Sequence, residues 1–600
     1  MFGYALSLLI AKSIGDSTSL YASAAPVTPL LALAIIQDSF LFFTWGLLLY
    51  QVAGLTGPRA GRVLLAVGTL LSCVFCLANG ATLHYFNRVF IQSLGDLLSL
   101  NVPLSDVPYY ATQYASGLSA FLCIAAHLLV GFIFCRRPVQ NVQWHWSVVG
   151  LLAIQGVGFA REPLIGLAIN RLDHAEPAFA GGYTYTFQPL TASQHRSPER
   201  RSQLGVVPRT VVLFINESLS RFFPSSDGAS TGLMAKIVAD SSPKAGAWIE
   251  FKYAKTNGTD TEISVPSILT GVDPVEGSAK LHAMPFVFDL AHAAGYRTAF
   301  FTSQDYSWAG FDNFYRPARI ETCVTGNNLP TPLPRVNDTG IDDMEIADRV
   351  ADYVHHLRAD ERCFLVINSN ALHVPWQTTS KIPLPKNLTR AEQKVAFILE
   401  SYYGRIFAAL EHMDRLTESL IIVTSDHGDR DAKRPRSVDR IGDHFDEVIT
   451  VPFYVHLPMQ IAPQIRERVV LNAERTVANV DIAPTLAEIF GYGPPPGLDY
   501  AGFSLFSIVP SNRISCCLTT NEWKQWSQTA FSLSQGTERF IFMANAGAFW
   551  FDVARDPQEL HGVTQGARYD AFLQHAMTVP LLQDMLLRLE IDRQDQRTTQ

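Results

Sequence analysis

Thr210-Val211-Val212-Leu213-Phe214-Ile215-Asn216-Glu217 and Leu420-Ile421-Ile422-Val423-Thr424-Ser425-Asp426-His427-Gly428 are short apolar, β-branched runs that end abruptly in metal-binding side chains. More than two hundred residues separate them. A continuous apolar run of this length reads as a strand buried on both faces, the habit of a parallel sheet covered by helices. In open α/β sheets, chemistry collects just beyond the carboxyl ends of such strands. Glu217, Asp426 and His427 therefore fall where a metal site would be built, and an O, O, N donor set suits zinc or manganese. Either run alone is as well explained by a salt-bridged Glu and a solvated Asp-His turn. Together with the features below they favour a site.

The chain has 600 residues and an uneven composition. Long apolar stretches dominate up to about residue 160, and the remainder resembles an ordinary soluble enzyme. Residues 30–53, 63–81, 117–135 and 147–160 are expected to be membrane helices. At ~1.5 Å per residue the first three are long enough, or nearly so, for a ~30 Å hydrocarbon core. The fourth borrows Trp144 and Trp146 as an interfacial start, or runs on past Arg161. Arg59 and Arg62 lie between the first two spans, and Arg136 and Arg137 follow the third, which marks those ends as cytoplasmic. The loop 83–114 and everything after the fourth span then lie outside, with Arg161 and Arg171 arguing mildly against this. The opening run 2–11 stops at Lys12 and lacks the pattern of a cleaved signal peptide, so it adds at most a fifth, tilted span. The expected organisation is a transmembrane domain of four or five helices (1–170), a linker (171–208), an extracytoplasmic catalytic domain (209–575) and a tail (576–600).

The net charge of −8 is spread thinly, and no basic block points to nucleic acid. Cys73, Cys76, Cys123 and Cys135 fall in the apolar spans, where they read as small apolar fillers. Cys323, Cys363, Cys516 and Cys517 fall in the soluble part, and their spacing assigns no pairing.

The soluble part alternates strand-like and helix-like segments. Strands are expected at 211–215, 298–302, 364–368, 421–425 and 451–455, and helices near 286–294, 346–357, 390–416 and 481–490. This rhythm predicts an α/β domain with a mainly parallel sheet sandwiched by helices. Thr256-Asn257-Gly258-Thr259-Asp260-Thr261-Glu262-Ile263-Ser264-Val265-Pro266-Ser267-Ile268-Leu269-Thr270-Gly271 is a hydroxyl-rich lead into a short helix. A hydroxyl at a helix start faces unpaired N–H groups and the positive end of the dipole, which favours an anion there. Beside a divalent cation it becomes a nucleophile, although most such hydroxyls are simple N-caps. His373 follows the strand 364–368, and His444 lies between the Asp426-His427 turn and the strand 451–455. A lone His is more often a surface or capping residue. Two of them at the sheet edge that carries three metal-type ligands point to function.

These residues resemble the alkaline phosphatase and sulfatase superfamily, and within it the membrane-anchored phosphoethanolamine and phosphoglycerol transferases. Ser425-Asp426-His427-Gly428 matches the most specific motif of that family. Asp481-Ile482-Ala483-Pro484-Thr485-Leu486 resembles a superfamily hallmark, and the stretch from Phe551 through Asp556-Pro557-Gln558-Glu559-Leu560 resembles its closing strand and turn. Sulfatases carry a modified Cys or Ser in a C/S-x-P-S-R motif that runs into Thr-Gly nine residues on, and counting back nine from Thr270 reaches Thr261. The transferases place their nucleophilic Thr in a Gly-Thr-x-Thr-x-x-Ser-Val-Pro context, whose second Thr is again Thr261, with Thr259 as the fallback. Ser264-Val265-Pro266-Ser267 mimics the sulfatase motif but is followed by Ile268 in place of Arg. The single acidic residue of Asn216-Glu217 is also similar to the transferases, not to the paired Asp of sulfatases.

The resemblance implies an alkaline phosphatase/sulfatase-like fold. Glu217, Thr261, Asp426 and His427 would hold a divalent metal, zinc first and manganese second. Thr261 would be the nucleophile, and His373 and His444 would bind phosphate oxygens, protonate a leaving group or complete a second metal site. The implied reaction moves a phospholipid head group, phosphoethanolamine first, to a cell-envelope acceptor through a phospho-threonine. The implied donor is phosphatidylethanolamine, the acceptor a glycan or lipid A-type molecule, and the location a bacterial inner membrane with a periplasmic catalytic domain. Phosphoglycerol transfer, phosphodiester or sulfate hydrolysis, and a non-catalytic glycan-binding scaffold are the alternatives. Asn257 and Ser267 stand where lipid A-modifying relatives carry a disulfide beside the nucleophile, which leaves the acceptor open.

Overall fold

The computed structural model describes residues 2–23, 29–56, 58–86, 117–135 and 197–587, apart from 203–204, 206, 229–231, 246–247, 307–310, 330–332, 338, 374–375, 377–380, 430–443, 522–528 and 544–546. The expected fourth span 147–160, the arginines Arg136, Arg137, Arg161 and Arg171, and most of the linker 171–208 lie outside the described residues. The chain divides into two compact units, one holding Met1–Phe187 and the other Gln188–Asp431 with Ile441–Leu589.

The first unit contains helices α1 (Phe2–Ser23), α2 (Pro29–Leu55), α3 (Pro58–Phe86) and α4 (Gly117–Cys135). The opening run is longer than its apolar stretch suggests: α1 carries on through Lys12, which is buried, to Ser23. Tyr4, Leu8, Phe42, Leu65, Cys76, Cys123 and Val130 form a shared interior. The Tyr4 hydroxyl lies 2.7 Å from Thr69 Oγ1, so this buried polar pair satisfies itself between α1 and α3. Large apolar side chains also face outward, among them Val63, Leu70, Phe121 and Leu128. Among the described residues, one helical segment, Arg59–Leu77, is long and apolar enough to cross a membrane; Tyr4–Ile14, Phe42–Leu55 and Phe121–Phe134 are shorter apolar segments.

The second unit is built on a seven-stranded sheet. Its strands are β1 (Thr210–Asn216), β2 (Trp248–Glu250), β3 (Arg297–Thr302), β4 (Thr322–Val324), β5 (Cys363–Asn368), β6 (Leu420–Ser425) and β7 (Tyr454–His456). They lie in the order β2-β7-β6-β1-β5-β3-β4. β1 is central, parallel to both β5 and β6, and every one of its residues is buried. Val211, Leu213 and Ile215 enter one core with helices α6 (Thr261–Thr270), α7 (Val287–Ala293) and α10 (Ile482–Phe490). Val212 and Phe214 enter the other with α5 (Leu233–Ala245), α8 (Asp343–His355) and α9 (Ala391–His412). Alternation across the pleat thus feeds two cores, and each such side chain contributes about 1.5–3 kcal/mol by burial. The domain is an α/β sandwich with a mostly parallel central sheet. The expected strand at 451–455 is present as β7 but runs antiparallel to β6. Between them the described residues hold the four-residue helix Asp446–Ile449.

A second sheet, an antiparallel meander, follows: β8 (Ser515–Leu518), β9 (Ala530–Gln535), β10 (Glu538–Met543) and β11 (Gly547–Asp552). Helix α11 (Ala567–Thr578) packs on it through Phe572 and Ala576, and the same core continues through Leu582 and Leu586. Of this sheet the sequence reading noticed only the closing strand. The alternation in Ala530–Gln535 and Glu538–Met543, joined at Gly536 with φ 58°, is a hairpin signal it passed over.

Candidate metal and nucleophile site

The register of the central strands builds the site. Asn216 of β1 pairs with Ser425 of β6, so the residues that follow, Glu217 and Asp426, emerge side by side. The Asp426 N–H donates to the Asn216 carbonyl at 3.0 Å and fixes that exit. Ile215 pairs with Asn368 of β5, and Asn368 with Thr302 of β3, which brings the turns after β5 and β3 to the same edge.

The hydroxyl-rich segment closes the site from the side. Asp260, in extended conformation, caps α6 by accepting from the Ile263 N–H at 3.1 Å, which makes Thr261 the first helical residue. The Thr256 hydroxyl donates to the Asp426 carbonyl, tying this segment to the β6 exit. Thr261 Oγ1 then lies 2.9 Å from Asp426 Oδ2, 3.3 Å from Glu217 Oε2 and 3.5 Å from His427 Nε2. Glu217, Asp426 and His427 are all buried, and one donor atom from each falls within 4.8 Å of the others. His427 Nδ1 lies 2.8 Å from the Gly428 carbonyl, which assigns the proton to Nδ1 and leaves Nε2 as a lone pair toward the cluster. Gly428 is required where it stands, because a Cβ there would meet the Glu447 carbonyl oxygen at 2.0 Å.

Burial, and then the neighbouring Glu217, push the Asp426 carboxyl well above its ordinary range. Two buried carboxylates at this distance repel one another, and a divalent cation would offset that repulsion. The donor set therefore fits a metal ion, with Glu217, Asp426, His427 and the Thr261 hydroxyl as its ligand atoms.

Sequence reasoning missed Gln304, two residues beyond β3. Its Nε2 donates to Glu217 Oε2 at 2.8 Å, while its buried Oε1 has no hydrogen-bond partner among the described residues. Its place just beyond β3 puts it at the same edge as β1, but nothing in an amide at that position marks it in the sequence as a partner of Glu217. Asn479 was also passed over: it accepts from Thr424 Oγ1 at 2.7 Å and donates to the Ser425 carbonyl at 2.8 Å, bracing the end of β6. Asn257 accepts from the Val480 N–H and donates to the Cys516 carbonyl.

The two further histidines sit differently. His373 lies in the turn after β5, partly exposed, with its N–H on the Asn370 carbonyl at 3.0 Å. His444 is buried, its Nδ1 3.1 Å from Ser532 Oγ and its Nε2 2.8 Å from Thr519 Oγ1. Thr519 Oγ1 is in turn 3.0 Å from Thr259 Oγ1, so His444 reaches the hydroxyl-rich segment through one hydroxyl. Burial, and then Arg539, lower its pKa to about 3, which keeps it neutral. Arg539 itself is buried against Glu559 at 2.7 Å and Asp446 at 2.5 Å. Glu559 also accepts from the Asp446 N–H, so the closing motif anchors the loop that carries His444.

The sulfatase family model matches residues 209–492. Over this segment, just under half of its length, the chain is similar to the sulfatase family. Enzymes of the sulfatase superfamily use divalent metals, and the domain holds the ligand group just described. Arylsulfatase K of Mus musculus is 25% identical to the chain over 178 residues, which span 27% of this chain and 30% of that protein. Among solved structures, the lipooligosaccharide phosphoethanolamine transferase A of Neisseria meningitidis has a TM-score of 0.48 at 14% identity, covering 80% of this chain and 95% of its own. The phosphonate monoester hydrolase of Agrobacterium radiobacter has a TM-score of 0.46 at 15% identity, covering 63% and 96%. A 2-O GAG sulfatase has a TM-score of 0.43 at 16% identity, covering 66% and 94%.

Proposed function

We propose that the protein transfers a phospholipid head group, phosphoethanolamine in the first instance, to a cell-envelope acceptor. The observation that carries this reading is the Thr261 hydroxyl, set at a helix start within 3.5 Å of Glu217, Asp426 and His427. A bound divalent metal, zinc first, would stabilise the alkoxide of Thr261 and polarise the phosphate. Thr261 Oγ1 gives up its proton, attacks the phosphorus and displaces diacylglycerol as its alcohol, leaving a phospho-threonine ester. An acceptor hydroxyl then attacks the same phosphorus, and the Thr261 oxygen leaves and regains its proton. The N–H groups at the start of α6 and the positive end of its dipole favour the phosphate oxygens. His444, neutral and joined to Thr259 through Thr519, suits holding the segment more than donating a proton; His373 suits a role at the open edge.

The location follows the donor. The apolar faces of α3 and α4 and the segment Arg59–Leu77 support membrane association, and the proposal takes the membrane as a bacterial inner membrane with the catalytic domain on its outer side. Tethering keeps a donor that cannot leave the bilayer at high effective concentration. A second reading, hydrolysis of a phosphate or sulfate ester, has the match to the sulfatase family in its favour. Incubating the full-length protein with phosphatidylethanolamine and mapping adducts by mass spectrometry separates the two. A phosphoethanolamine adduct on Thr261, discharged by an acceptor alcohol faster than by water, is expected. Turnover of a sulfate ester with no lipid-derived adduct would overturn the transfer reading.

A further inference from the structure

Two of the cysteines expected as apolar fillers in the N-terminal helices lie beside a histidine. Cys73 of α3 and Cys123 and His127 of α4 converge in the interior of the first unit, with one donor atom from each within 4.8 Å of the others. All three are buried, Cys73 being 8% exposed and the other two 2% or less. The four-residue spacing of Cys123 and His127 puts them on one face of α4, one turn apart, with Sγ and Nδ1 separated by 3.7 Å. Neither thiol is in a disulfide.

The imidazole is the informative member. Its Nδ1 lies 2.8 Å from the Cys123 carbonyl, which assigns the proton to that nitrogen. Nε2 is left as a buried lone pair with no hydrogen-bond partner among the described residues. An imidazole held by Nδ1–H on a backbone carbonyl, with Nε2 available, is the habitual arrangement of a metal-ligating histidine. Two thiols and one imidazole in an apolar interior are soft donors, which select thiophilic ions over magnesium, calcium or manganese. Structural zinc asks for four protein ligands. The described residues supply three donors, two thiols and an imidazole, of kinds that Cu(I) takes.

We propose that Cys73, Cys123 and His127 form a trigonal site for Cu(I) that clamps α3 to α4. The site is separate in residues and in donor chemistry from the oxygen-rich group around Thr261, and it stands whether or not the transfer reading does.

The test uses the full-length protein in detergent, loaded with Cu(I) without oxygen against a competing Cu(I) chelator. Wild type is expected to retain about one copper per chain, with sulfur and nitrogen neighbours in X-ray absorption. Cys73→Ser and Cys123→Ser should lose it, and His127→Ala should weaken it by about tenfold or more. Cys76→Ser, at an equally buried thiol of the same helix outside the trio, should bind as wild type does and controls for folding. Equal copper in wild type and the Cys73→Ser/Cys123→Ser double variant would overturn the proposal. So would absorption spectra of the wild type that lack sulfur neighbours, or a Cys73–Cys123 disulfide in the protein as purified from cells.

Discussion

Thr261 Oγ1 lies 2.9 Å from Asp426 Oδ2, although 165 residues separate the two in the chain. The contact exists because β6 aims Asp426 at the sheet edge while the Asp260 cap starts α6 one residue before Thr261. Thr261→Ala is expected to abolish turnover while leaving the fold intact, since the Asp260 cap, worth about 1 kcal/mol, is untouched. Thr259 Oγ1 faces Thr519 instead, so Thr259→Ala should keep measurable activity. Paired assays and melting curves of the two variants check this. The reverse pattern would move the nucleophile to Thr259.

Glu217 and Asp426 should oppose folding without metal and support it with metal. In the metal-free protein, burial and Glu217 together raise the Asp426 carboxyl, and each carboxylate makes the other harder to ionise. Glu217→Gln removes one charge and should raise the melting temperature of the chelator-treated protein above that of chelator-treated wild type. Added zinc should stabilise wild type more than the variant, because binding to the native state alone shifts folding by mass action. A variant that gained as much from zinc as wild type would exclude Glu217 from the ligand set.

The parts of this site that were legible in the sequence lie on single continuous runs. Glu217, Asp426 and His427 each end a buried strand, and hydrophobic patterning marks such ends directly. Thr261 was reachable only through a motif, because an N-terminal helix hydroxyl looks the same whether it caps or reacts. Gln304 and Asn479 were not legible, since an amide earns its place through partners distant in the chain: Glu217 for one and Thr424 for the other. The reversal of β7 was hidden for a related reason. Strand patterning carries no direction, and direction here depends on what the connecting segment is used for.

Gln304 should behave as a positioning residue for the metal. Its amide donates to the Glu217 oxygen at 2.8 Å and holds that carboxylate toward the cluster. Groups that orient ligands in this way typically contribute about 10–100-fold to metal affinity. Gln304→Met, similar in volume, should therefore weaken zinc binding by about that factor in a competition titration. Activity should recover at saturating zinc, which a collapsed site would not allow. Unchanged zinc affinity would assign Gln304 to packing alone.

His444 should make the catalytic domain sensitive to acid. Burial, and then Arg539, lower its pKa in the folded state to about 3, against 6.5 for an exposed imidazole. Between these values the unfolded chain binds a proton that the folded chain refuses. The contribution of His444 to stability is therefore fully present above pH 6.5 and declines as the pH falls toward 3. Between pH 7.5 and pH 5 the loss amounts to about 2 kcal/mol. His444→Gln cannot take up that proton, and its amide can still pair with the Ser532 and Thr519 hydroxyls. Denaturant unfolding with chelator present, at several pH values, should show the gap between wild type and variant narrowing or reversing as the pH falls. Other carboxylates titrate in both proteins and drop out of the difference. Two stability profiles that stay parallel from pH 7.5 to 5 would mean that His444 becomes protonated inside the fold, and would restore it as a proton donor to the segment that carries Thr259 and Thr261.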